Sequence, residues 1–118
     1  MGYKDRQETR YKEIGRINSP QLCAIPGILD DISLSGCKVH YQVPVVVDLE
    51  NEYEIKLSPN SNNDEPPLNL ICKPQWVKEC DGNTFIGLQI LYSPDVNRLS
   101  TFIEYLSEKY SDDLLEIK

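Results

Sequence analysis

The stretches Leu68 to Val77 and Thr84 to Tyr92 are joined across Glu79-Cys80-Asp81-Gly82-Asn83, a linker that turns the chain back on itself. Asp81-Gly82 tolerates the positive φ angles of a tight antiparallel turn, so a β-hairpin is expected here. In its second strand Ile86, Leu88, Ile90 and Tyr92 alternate with Gly87 and Gln89, the period-two pattern of a strand with one buried face. Trp76, on the first strand, is expected inside as a barrel-closing core residue.

The same alternation appears upstream in Cys37-Lys38-Val39-His40-Tyr41 and in Glu52-Tyr53-Glu54-Ile55-Lys56-Leu57. Between Ser58 and Pro67 the run is rich in Pro, Asn and Asp and has nothing to bury, which reads as an exposed loop. The period changes at Ser93-Pro94-Asp95, where serine caps free amides and proline suits the first helical position. Val96, Leu99, Ile103, Leu106 and Tyr110 then recur at helical steps with Phe102 beside them. That stripe is expected to cover the end of the domain's own sheet. Ser111-Asp112-Asp113 is expected to end the helix and leave 111–118 as a short tail. Short antiparallel strands followed by one terminal helix imply an all-β, closed or nearly closed barrel, because closure removes exposed strand edges.

A chain of 118 residues has room for one core and hardly for two, so a single domain is expected. A net charge of −7 argues against general affinity for DNA, RNA or anionic lipid, which call for a basic surface. The charge is uneven. Lys4, Arg6, Arg10, Lys12 and Arg16 crowd the first sixteen positions, while Glu104, Glu108, Asp112, Asp113 and Glu116 dominate the last seventeen. A local cationic arm on an acidic body suits a small anionic ligand better than a polymer. No apolar run is long enough to span a bilayer, so no membrane insertion is expected, and the charged start lacks a signal-peptide pattern, which points to the cytoplasm. Cys23, Cys37, Cys72 and Cys80 have no CxxC spacing and read as free thiols rather than metal ligands.

Arg6-Gln7-Glu8-Thr9-Arg10 carries two guanidinium groups four positions apart, and about twenty residues later stands Asp31-Ile32-Ser33-Leu34-Ser35-Gly36. In order and spacing this combination resembles the two-part signature of the PilZ family, RxxxR followed by (Asp/Asn)xSxxG. The resemblance extends over nearly the whole chain, because the family's barrel also ends in a strand pair and a helix. It implies a six-stranded antiparallel PilZ-type β-barrel with a C-terminal helix, binding the bacterial second messenger cyclic di-GMP on its outer surface. The boundaries expected on this basis are an arm with a possible first strand at 1–16, the barrel with its helix at 17–110, and the tail.

The residue types suit that ligand on chemical grounds. Cyclic di-GMP presents two phosphodiester charges and two guanines. Arginine supplies a planar fork for phosphate or for the guanine Hoogsteen edge, the role expected of Arg6 and Arg10. Asp31 would accept from guanine's ring and amino hydrogens, and Ser33 would add a hydroxyl. Gly36 would permit either close backbone approach or a positive φ. Asp31 and Ser33 also suit a turn, bonding their own backbone. Arg16 is a further candidate ligand. Where many family members have another arginine just before RxxxR, this chain has Asp5, whose charge should repel a second dinucleotide; one ligand per domain is expected.

No other cofactor is implied. No output domain stands beside the barrel in this sequence, so the expected function is a receptor that passes the ligand's presence to a partner protein, in processes such as motility. The alternative is a PilZ-like docking module that binds no nucleotide. His40 stands on the polar face of its strand with no second histidine, acid or cysteine set as a catalytic partner, and no grouping of metal-binding acids or of base and nucleophile points to an enzyme.

Overall fold

Alternating apolar side chains line the inside of a closed wall. The computed structural model describes residues 9–59 and 65–117, with the side chains of 110–117 outside that description. Among the described residues there are six strands, β1 (Tyr11–Ser19), β2 (Cys23–Ile32), β3 (Gly36–Tyr41), β4 (Tyr53–Pro59), β5 (Leu68–Cys80) and β6 (Asn83–Tyr92), and a following helix, α1 (Val96–Ile117). The strands close into an antiparallel barrel in the order β1-β2-β3-β6-β5-β4. Every strand contributes to the core: Ile17, Leu29, Ile32, Val39, Ile55, Leu57, Leu70 and Ile86 are fully buried. The hairpin between β5 and β6 turns at Asp81 (φ 54°) and Gly82 (φ 82°), as their tolerance of positive φ led one to expect.

Both ends of the barrel are covered. The segment between β3 and β4 packs Val43, Val45 and Val47 against the core. It is pinned by Thr84, whose Oγ1 accepts from the Val45 N–H at 3.0 Å and donates to the Val43 carbonyl at 2.9 Å. Thr84 lies at the start of β6, and α1 is tied to the start of the antiparallel β5, at the other end. There Ser93 Oγ accepts from the Asp95 N–H at 3.0 Å and donates to the Asn69 carbonyl at 2.6 Å, closing the turn before the helix, which starts at Val96 and not, as expected, at Pro94. Leu99, Phe102, Ile103 and Leu106 bury their side chains in the barrel core.

One expectation is sharpened and two more are corrected. The possible first strand within 1–16 is β1, which from Tyr11 pairs with both β2 and β4, so 11–16 are barrel wall, while 1–8 lie outside the described residues. The helix runs through Ser111-Asp112-Asp113 to Ile117 and leaves no tail over 111–117, since unfavourable propensity is weak and neither Gly nor Pro interrupts this stretch. Trp76 is not in the core. A bulge between Pro74 and Trp76 reverses the in-out phase of β5, so Trp76 pairs with outward-facing Gly87 and remains 42% exposed. Of the loop expected over 58–67, residues 60–64 lie outside the described residues.

Cys37 and Cys72 are buried free thiols, and Cys23 and Cys80 are free as well. A hydrogen bond with Cys37, together with burial, pushes the Cys72 thiol far above its ordinary pKa. Among the described residues no helix is long and apolar enough to cross a membrane.

The join of α1 to β5 carries a pH signature. Asp95 Oδ2 accepts from the Asn69 backbone N–H at 2.8 Å and from its side-chain amide at 3.0 Å. Those two bonds, aided by the nearby charges of Arg98 and Lys56, hold the Asp95 carboxyl below the usual range. A folded-state pKa below the unfolded one stabilises the fold above the ordinary value, about 3.9, and that contribution disappears as pH falls through the folded value. In thermal melts, Asp95→Asn should be less stable than wild type near neutral pH, with the difference shrinking below about pH 4. A difference that stays constant into acid would contradict this account.

Candidate functional site

A second bulge, in β2, sets the site. Leu29 pairs with Val39 and Ile32 with Cys37, all facing inward, but between them only Asp31 pairs, with Lys38, and Asp30 is the extra residue. Asp31 therefore points to the outer wall. Following the register outward gives a row that crosses five strands: Lys12 on β1, Asp31 on β2, Lys38 on β3, Gly87 on β6 and Trp76 on β5. With strands about 4.8 Å apart, Asp31 and Trp76 lie about 14 Å from one another along that row.

Arg10 stands just before β1 and reaches over this row. Its Nε donates to Asp31 Oδ1 at 2.9 Å, and its Nη2 approaches the same oxygen at 2.7 Å. Its Nη1 is 3.8 Å from the position a Cβ would take on Gly36. The pair rims an open cleft of about 420 Å³ on the outer wall, lined also by Lys38, Gln75, Trp76 and Gly87. Residues from the two sequence motifs thus meet in space at Arg10, Asp31 and Gly36. Arg6 and Asp5, by contrast, lie outside the described residues.

Ser33 does not line the cleft. It is buried beneath it, where its N–H donates to the Gly36 carbonyl at 2.8 Å and its Oγ to the same oxygen at 3.3 Å, closing the turn from β2 into β3. Of the two reasons considered for Gly36, close approach holds: among the described glycines only Gly82 has positive φ, whereas a Cβ on Gly36 would sit 2.8 Å from the Leu88 carbonyl oxygen. That atom belongs to the backbone of β6 and has little room to retreat. Gly36→Ala should therefore cost about 1 to 3 kcal/mol of stability, the range for overpacking a filled site. An unchanged denaturant midpoint would refute the close-approach role.

Trp76, Gly87, Lys38 and Gln75 were not singled out as site residues by sequence reasoning. The indole of Trp76 lies directly against Gly87, where any Cβ would collide with its Nε1 and Cε2. Gln75 Nε2 donates to Gln89 Oε1 at 3.0 Å beside it, linking β5 to β6 at the bulge. One local signal was available: Pro74 cannot donate to a strand ladder, and proline inside an otherwise regular strand marks an edge or a bulge.

Arg16 is not brought to this site. It lines a separate cleft of about 620 Å³ with Ile14, Ile25 and Pro26, where Ile14 is 69% exposed and Ile25 45% exposed. His40 does have an acidic partner, contrary to expectation: the bulge at Asp30 brings that carboxylate to His40 Nδ1, 2.9 Å from each oxygen. Its ring also lies beside Phe85, with centroids 5.1 Å apart. Among the described residues no group of His, Cys, Asp and Glu has the geometry to hold a metal ion.

Comparisons of the chain with protein-family models, with curated proteins and with solved structures find no match.

Proposed function

We propose that this protein is a PilZ-type receptor for cyclic di-GMP, which binds on the outer wall of the barrel and presents the occupied surface to a partner protein. The observation that carries the reading is the meeting of Arg10 with Asp31 above Gly36, residues distant in sequence and joined at one cleft. An arginine held against a carboxylate suits such a ligand, the guanidinium reaching the Hoogsteen edge of guanine or a phosphate. Lys38 adds a second cation for the phosphodiester ring. Trp76 adds an exposed aromatic face of the kind on which bases stack. Ser33 and Gly36 serve from below by fixing the turn and the close strand approach. Arg6 and the single-ligand expectation from Asp5 belong to the same proposal, as do a cytoplasmic setting, a role in motility or surface behaviour, and binding without turnover.

Four charge-assisted hydrogen bonds at about 1.5 to 3 kcal/mol each are enough for micromolar affinity, which requires about 8 kcal/mol. Isothermal titration of cyclic di-GMP into the protein should give saturable binding with one dinucleotide per chain. A stoichiometry of two would reject the single-ligand expectation. A titration without heat, backed by an orthogonal assay without binding, would reject the receptor reading. That result would leave a docking module that takes no nucleotide, an alternative favoured by the exposed Ile14 and Ile25 at the cleft beside Arg16.

A further inference from the structure

We infer that Asp31 acts in the cleft as a positioning residue for Arg10, holding the guanidinium so that its outer nitrogens face the ligand. The inference rests on the receptor reading and gives Asp31 a different task from direct recognition of guanine. Guanidinium is a rigid, planar fork of N–H donors. Asp31 Oδ1 occupies one side of it, with Nε at 2.9 Å and Nη2 at 2.7 Å. Nη1, on the far side, remains over the cleft floor, 3.8 Å from the Cβ position of Gly36. The donors that face the cleft are therefore the ones Asp31 leaves unused.

The two partners differ in how firmly each is held. Asp31 sits within two ladders, in register with Lys12 on one side and Lys38 on the other, beside the bulge at Asp30. Arg10 lies outside the ladders, since the pairing of β1 with β2 begins at Tyr11 and Ile32. Among the described residues its guanidinium has no hydrogen-bond or ion-pair partner other than Asp31, and its side chain is 47% exposed. A long, half-exposed side chain is here tethered to a rigid wall. Such pre-organisation raises affinity by removing the entropy cost of ordering the fork at binding.

A double-mutant cycle separates this role from direct contact. Cyclic di-GMP affinity is measured by NMR-shift titration for wild type, Arg10→Ala, Asp31→Ala, Asp31→Asn and the double alanine variant. If Asp31 works through Arg10, Asp31→Ala weakens binding by about threefold to fivefold, the limit set by an exposed pair worth about 0 to 1 kcal/mol, and the double variant binds within about twofold of Arg10→Ala. Asp31→Asn keeps an oxygen acceptor for Nε and should stay within about twofold of wild type. Losses that multiply, an asparagine variant as weak as the alanine one, or tighter binding by Asp31→Ala would each overturn the inference. A ligand-free arm keeps the test independent of the receptor reading. The Arg10 Nε–H should exchange slowly with water in wild type and Asp31→Asn and quickly in Asp31→Ala. Equal exchange in all three would reject the tether even if cyclic di-GMP binds. Slow exchange in a wild type that does not bind would reject the receptor reading and leave the tether standing.

Discussion

Arg10→Ala is expected to weaken cyclic di-GMP binding about a hundredfold, equivalent to about 2.7 kcal/mol. Losing a fork that makes two charge-assisted bonds, each about 1.5 to 3 kcal/mol, accounts for a change of that size. Stability should hardly move. The Arg10–Asp31 pair lies at the surface, with side chains 47% and 21% exposed, and exposed pairs contribute about 0 to 1 kcal/mol. A large loss of affinity with an unchanged melting temperature is therefore the signature to look for, and the wild-type affinity should itself fall as salt is raised. Undiminished binding by Arg10→Ala would remove the central residue from the proposed site.

Trp76→Ala is the second substitution with a large expected effect. Stacking of a base on an aromatic side chain is worth about 1 to 3 kcal/mol by alanine substitution, so affinity should fall by about fivefold to 150-fold. Trp76→Phe should recover most of it, because the stacking face matters more than the indole N–H. Trp76 is the protein's single tryptophan, so any change in tryptophan emission on titration reports on this wall of the cleft alone. Gly87→Ala tests the same wall from beneath, since its methyl group would displace the indole. Emission that stays constant at saturating cyclic di-GMP would place the ligand away from Trp76. Binding unaffected by Trp76→Ala would remove stacking from the mechanism while leaving the Arg10–Asp31 corner intact.

Much of the fold is legible in local pattern. The period-two runs became β3, β4 and β6, the Asp81-Gly82 pair became the expected turn into β6 from β5, and Ser93 closes the turn that leads into the helix. Each of those signals is complete within a few residues, because alternation, positive φ and turn closure are satisfied by near neighbours in sequence. β1 was less legible because its outward positions include Ile14, 69% exposed, and its inward ones include Glu13, which is buried, so alternation by polarity fails there. The end of the helix was misread for a related reason: serine and aspartate lower helix propensity by only a few tenths of a kcal/mol each, about what neighbouring good formers restore.

The site divides along the same line. The motif residues Arg10, Asp31 and Gly36 could be named from sequence, and the resemblance grouped them. That Ser33 is buried under the cleft follows from which side of the wall it takes, and that Arg16 faces a different cleft follows from its place further along β1 on the same outer face as Lys12. Two bulges decide that side in the strands that matter most here. At Asp30 the extra residue turns Asp31 outward and brings Asp30 to His40, and at the Pro74–Trp76 step it turns the indole from the core to the surface.

Short-range periodicity, turn chemistry and composition already point to an antiparallel barrel with a terminal helix and to the residue types of the proposed corner. That Lys12, Asp31, Lys38, Gly87 and Trp76 form one row, with Arg10 folded over its Asp31 position, emerges once the barrel closes. That row is assembled by cross-strand register. Register depends on how β1, β2, β3, β5 and β6 pack around a shared core, a long-range condition that one extra residue in a strand is enough to shift.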